Sequence, residues 1–161
     1  MQNNPEVKII LYATDLGGQT RPVIRHALSM AEHYDASIIM VHVVEPISEA
    51  AKAVVNTYLP KELTDEIQKE GMVKLLADMK VRLEKFYEDE CGIGDQPRVK
   101  EVLVVAGKPS EEILRVAEED NADMIIMGKS TRKVRGVRVM GSTARRVSRM
   151  SRIPVLVVPN Y

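Results

Sequence analysis

The sequence predicts an α/β fold: one doubly wound, five-stranded parallel sheet of order 3-2-1-4-5 with helices on both faces. Two observations carry this expectation. Short, continuous apolar runs rich in Val and Ile alternate with amphipathic segments, the pattern of strands buried on both faces and linked by crossover helices. The runs end at glycine, proline or small polar residues, which break regular structure.

"VKIILYAT" at residues 7–14 reads as the first strand, and "DLGG" as the turn after it. In "TRPVIRHALSMAEHY", Val23, Ala27, Met30 and Ala31 recur at helical spacing, with Thr20 as N-cap and Pro22 in the first turn. "ASIIMVHVV" is the second strand, ended by Pro46. Residues 46–60 are read as an insertion, and a mobile one. The stretch "LTDEIQKEGMVKLLADMKVRLEKFYEDE" carries Met72, Leu75, Leu76, Met79 and Leu83 at mixed spacings of three and four and predicts one long helix. "RVKEVLVVAG" is the third strand and "KPSEEILRVAEEDN" the third helix, with Pro109 at its start and two acids where the helix dipole favours them. "ADMIIMG" is the fourth strand; a loop leads to the short helix "STARRVSRMSR", and "IPVLVVP" closes the sheet. The whole is (βα)₄β on a single domain, residues 1–161. With strands 1 to 3 winding one way and 4 to 5 the other, the ligand crevice falls between strands 1 and 4, beyond their carboxyl ends.

Composition narrows the function. The longest apolar runs are far too short to cross a bilayer and the start "MQNNPEVK" has no apolar signal region, so the chain is read as cytoplasmic, without a membrane role. One cysteine, Cys91, and three scattered histidines offer neither a disulfide framework nor a zinc cluster. Net charge is zero, but residues 128–161 hold nine Lys/Arg and no Asp/Glu. That imbalance points to an anionic partner. Nucleic acid is disfavoured, because no aromatic residue interleaves the cations to stack bases. His42 is read as a satisfied core residue, His26 and His33 as surface positions, and Ser148, in the basic "RRVSRMS", as a partly buried helix position.

The string "GKST" at residues 128–131 resembles the end of a P-loop. The P-loop needs a glycine five residues before its GK glycine, and here that position is Asp123, with the strand itself in between. The more telling spacing runs from Gly128 to Gly141-Ser142, where the fourth helix begins: a strand-end glycine admits close backbone approach, and a helix start presents free amides to phosphate.

These residues resemble the universal stress protein family over nearly the whole chain. "GKST", "RKVRGVRVM" and "GS" reproduce the nucleotide-binding members' G-x-x-G-x9-G-[ST] spacing through Gly128, Gly141 and Ser142, with Thr131 at the second glycine. "YATDLG", "VHVV" and "RIPVLVVP" resemble the family's first, second and last strands. The resemblance implies a Rossmann-like fold of the adenine nucleotide alpha hydrolase type. It implies a nucleotide site of Ala13, Thr14, Asp15, Val43, Met127, Gly128, Lys129, Thr131, Gly141, Ser142 and Thr143. Asp15 and the Val43 backbone would hold adenine, Gly128 and the Thr131 region would border ribose and phosphates, and the helix start would take the phosphate tail. The implied ligand is ATP, with ADP and AMP as alternatives, bringing Mg or Mn with it. No catalytic constellation stands out, so hydrolysis would be slow at most. A homodimer would form through Pro154, Val155, Leu156, Val157 and Val158, and a protein partner is unnamed by the sequence. Two functions stay open: a stress-response regulator that binds an adenine nucleotide, and a dimeric interaction module of the same fold that binds none.

Overall fold

The computed structural model describes residues 4–17, 19–91, 98–129 and 133–160. Five parallel strands form the main sheet: β1 (Ile9–Ala13), β2 (Ser37–Val44), β3 (Val99–Ala106), β4 (Met124–Gly128) and, last in the chain, β7 (Val155–Val158). Their order is β3-β2-β1-β4-β7, the predicted 3-2-1-4-5. β1 is central, pairing with β2 from Ile9↔Ser37 to Ala13↔Val41 and with β4 from Ile10↔Met124 to Ala13↔Met127. Its start is clasped by Asp123, whose Oδ2 accepts from the amides of Lys8 and Ile9 at 2.8 and 2.9 Å. The residue standing where a P-loop would have its first glycine therefore serves the opposite end of the sheet from the crevice.

Strand alternation builds two cores. Ile10, Tyr12, Ile38, Met40, Ile126 and Val158 pack with helix α1 (Arg21–Tyr34) and the long helix α3 (Lys61–Cys91). Leu11, Ile39, Val41, Ile125 and Met127 pack with α4 (Pro109–Glu119) and α5 (Ser142–Met150) on the other face. Parallel strands covered on both faces need apolar residues at consecutive positions, which is why these runs are continuous rather than alternating.

Several local expectations are corrected. Thr20 occupies the N-cap of α1, but its side chain makes no cap bond; its hydroxyl instead donates to Gly17 O at 3.1 Å. Between Pro46 and Pro60 lies a helix, α2 (Glu49–Asn56), started by Ser48, whose side chain accepts from Ala51 N at 3.2 Å. Its buried face is nearly absent, so the apolar periodicity that announces a helix is weak there. In α3, Leu83 is fully buried, Met72, Leu76 and Met79 are half-buried, and Leu75 is exposed, one position off the packed stripe. The segment before α5, expected as loop, contains a small antiparallel hairpin of β5 (Lys133–Val134) and β6 (Val137–Arg138), turned at Arg135 and Gly136 with φ of 49° and 80°. Those angles suit a tight hairpin turn, and arginine at the first position concealed it from the sequence. Ser148 is exposed on α5 rather than partly buried.

α3 has 31 residues, about 46 Å of helix, and among its described side chains only Thr64 and Leu83 are buried. Leu83 is its main apolar anchor, at 0% exposure, whereas Val73 is 66% exposed. Leu83→Ala should therefore lower unfolding free energy by about 2–5 kcal/mol in denaturant titration. Val73→Ala should change it by less than about 0.5 kcal/mol; equal losses would mean that the helix is anchored elsewhere.

Candidate functional site

The ends of β1, β2 and β4 and the starts of α1, α4 and α5 surround one cleft of about 510 Å³. It lies where the winding reverses, between β1 and β4.

The loop after β1 is built by short polar bonds. Thr14 N continues the parallel ladder to Val41 O at 2.9 Å, and Thr14 O accepts from His42 Nδ1 at 2.8 Å. Leu16 N donates to Thr14 Oγ1 at 3.2 Å and Gly17 N to Asp15 Oδ1 at 3.0 Å. These bonds hold Leu16 at φ 55°, a left-handed conformation uncommon for a side chain of its kind. Asp15 thus caps the turn after β1 while its exposed carboxylate borders the cleft. His42 is satisfied through Nδ1 and also lines the cleft.

Opposite, Lys129 N donates to Val158 O at 2.8 Å and Gly141 N to Lys129 O at 2.9 Å, tying the start of α5 to the end of β4. The N-cap of α5 is Gly141, so Ser142 is the first helical residue and Arg145 the fourth. No side chain caps this helix and no acid stands in its first turn. Its first internal bond runs from Arg145 N to Gly141 O at 3.0 Å, leaving the amides of Ser142, Thr143 and Ala144 without a partner in the helix. Such a terminus carries partial positive charge and suits an anion. Lys129 and Arg145 add full charges to the lining.

The structure brings Ala13, Thr14, Asp15, Val43, Met127, Gly128, Lys129, Gly141, Ser142 and Thr143 to the wall of this one cleft. Thr131 lies outside the described residues. Gly128 has a different reason for being glycine from the expected backbone approach: a Cβ there would come within 3.0 Å of Asn160 Nδ2 and 3.4 Å of Val23 Cγ2. Sequence reasoning missed Tyr12, Gln19, Thr20, Val23 and the buried Asn160, all in the lining. The strand period holds the missing signal. Counting by twos from Ile10 puts Tyr12 on the α1 side, a face the motif comparison does not sample.

Tyr12 is 1% exposed and its hydroxyl has no hydrogen-bond partner among the described residues. Burial pushes its phenol well above the ordinary range, and the Asp15 and Glu90 carboxylates push the same way. The Thr14 hydroxyl lowers it, more than either carboxylate raises it, without meeting the phenol in hydrogen-bond geometry. Tyr12 is therefore a neutral phenol at neutral pH. No cluster of three or more His, Cys, Asp or Glu that could hold a metal occurs among the described residues. No described helix is long and apolar enough to cross a membrane.

The model of the universal stress protein family matches residues 6–159. The chain belongs to the universal stress protein family. It is 28% identical over 155 residues to universal stress protein MJ0577 of Methanocaldococcus jannaschii, covering 94% of each chain. It is 30% identical to universal stress protein YxiE of Bacillus subtilis, covering 92% of this chain and 97% of that one. A solved structure of MJ0577 superposes with TM-score 0.74 at 27% identity, covering 97% of this chain and 98% of that one. A universal stress protein solved in complex with cAMP shares the fold at TM-score 0.56 and 19% identity, over 96% and 98% of the two chains.

Two glycines separate packing from backbone freedom in this family member. Gly128→Ala forces Asn160 to move and should cost about 1–3 kcal/mol. Gly71, inside α3, has nothing within 4 Å of an added Cβ, so Gly71→Ala should stabilise by up to about 1 kcal/mol through helix propensity. Thermal unfolding of both variants checks the pair; a neutral Gly128→Ala would show that the Asn160 contact yields easily.

Proposed function

We propose that this member of the family is a cytoplasmic stress-response regulator that binds an adenine nucleotide, ATP in preference to AMP, in the cleft between β1 and β4. The observation that carries the reading is the convergence of Asp15, Val43, Gly128 and the uncapped start of α5 on that cleft. Asp15 and the Val43 backbone form a polar and an apolar border fit for adenine, with Val41, Met127 and Ile113 beneath it. Gly141, Ser142 and Thr143 supply amides to the phosphate tail. The cations Lys129 and Arg145 favour ligands of higher charge, an advantage that salt screens. That the fold admits an adenine nucleotide is supported by its relative in complex with cAMP.

Mg or Mn would be brought by the phosphates. Hydrolysis would be slow at most, because Asp15, the acidic side chain of the lining, stands at the adenine end. The reading includes a homodimer through Pro154, Val155, Leu156, Val157 and Val158: among the described residues β7 pairs only with β4, so its other edge offers unpaired backbone to a second copy. An unidentified protein partner would then read the nucleotide state.

Calorimetry with ATP, AMP and adenosine tests the binding. Asp15→Ala should weaken all three alike, whereas Gly141→Val should weaken ATP more than adenosine by hindering approach to the α5 amides. No heat or thermal shift with millimolar ATP and magnesium would leave the alternative, a dimeric interaction module without a nucleotide. For the dimer, Val157→Lys should yield monomers in light scattering while retaining a native circular dichroism spectrum; a folded variant that stays dimeric would move the interface away from β7.

A further inference from the structure

The solvent side of α3 carries a second pattern, separate from the stripe that packs toward the sheet. Leu63, Ile67, Glu70, Lys74, Ala77 and Val81 follow one another at alternating spacings of four and three, the a/d period of a coiled coil. All six are exposed. At about 100° per residue they form one row along the side of the helix opposite Leu83, its buried anchor.

Turned end for end, the row is complementary to itself. An antiparallel second copy, crossing at Met72, sets Leu63 against Val81, Ile67 against Ala77 and Glu70 against Lys74, since the members of each pair stand equally far on either side of that residue. Antiparallel coiled coils layer their a and d positions in this way. The flanking row agrees: centred one residue later, it sets Glu66 against Lys80 and brings Val73, 66% exposed, against its own copy. Apolar residues meet apolar ones and each acid meets a base.

The charges also exclude the other orientation. A parallel pair in register would oppose Glu70 to Glu70 and Lys74 to Lys74, and like charges face to face reject a partner. Among the described residues, Glu66, Glu70, Lys74 and Lys80 form no ion pair within the protomer. α3 packs on β3, at the opposite end of the sheet from β7, so a contact through it does not compete with pairing at that strand.

We propose that the solvent face of α3 is a self-association surface, on which two copies of the chain pair antiparallel about a two-fold axis near Met72. The paired length, from Leu63 to Val81, is about 27 Å of helix. Such a contact is weak, because it is narrow and one of its three kinds of layer is a charged pair. It fills only at about 0.1 mM protein or above, and at low micromolar concentration it stays open.

Sedimentation equilibrium from about 5 µM to about 500 µM tests it, with Val157→Lys as the parent protein to remove pairing at β7. The mean mass should rise from one chain toward two. Glu70→Lys or Lys74→Glu alone should weaken that association by at least about ten-fold, since the two-fold axis makes each change count twice. The two together should restore it to within about three-fold of the parent. Because both positions are exposed, all variants should keep the parent's circular dichroism spectrum. A mass that stays at one chain up to the highest concentration overturns the proposal, whatever else the face binds; so do single variants that associate like the parent, or a double variant that fails to recover. A parent already two chains at the lowest concentration removes the β7 dimer instead. The charge variants then decide for α3 if they yield single chains, and against it if they do not.

Discussion

β1 must satisfy the backbone groups on both of its edges, and it does so with strands that arrive from opposite directions of winding. β2 closes one edge through a crossover on the α1 side, and β4 closes the other. The chains leaving β1 and β4 cross to opposite faces, so their loops diverge and leave a crevice that no side chain from the sheet fills. The cleft is thus a by-product of pairing. Asp123 reinforces the arrangement from below, where its side chain takes two β1 amides and its own amide donates to Ile9 O at 2.8 Å.

What surrounds the crevice differs on its two sides. Toward α5 the lining is cationic and rich in backbone amides; toward α1 it carries the Asp15 carboxylate and the Thr14 and Thr20 side chains. The zero net charge of the chain conceals this division. Part of the basic C-terminal region is neutralised locally: Arg146 lies 3.5 Å from Glu111 and Arg152 3.9 Å from Glu118, both acids being on α4. Such exposed pairs contribute little stability, roughly 0–1 kcal/mol each. Among the described residues, Lys129 and Arg145 are the cations that line the cleft.

The strands were legible because a sheet buried on both faces demands unbroken apolar runs, and "VKIILYAT" or "ADMIIMG" cannot be read another way without exposing them. The family signature likewise marked the α5 side of the cleft. Elements that bury little were harder. α2 has no buried residue to announce it, and Leu75 falls off the α3 stripe because a long exposed helix tolerates apolar residues on any face. The α1-side wall of the cleft was missed for a geometric reason. Tyr12 reads as an ordinary core residue, and only the packed structure brings it together with Val23 and Asn160 in the lining.

The contact between Ile9 and Asp123 joins positions 114 apart in sequence. A ribosome delivers the chain from its N-terminus, so β1, α1 and β2 emerge long before β4 exists. Until then β1 has one finished edge and one open edge made of strongly strand-forming residues, Ile9, Ile10, Leu11 and Tyr12. Closing a loop of that length carries a large entropic cost and slows the step that makes it. The cleft therefore cannot take shape until β4 and α5 have been made. During its synthesis the nascent chain carries an exposed template for mispairing, a hazard that ends only when β4 docks.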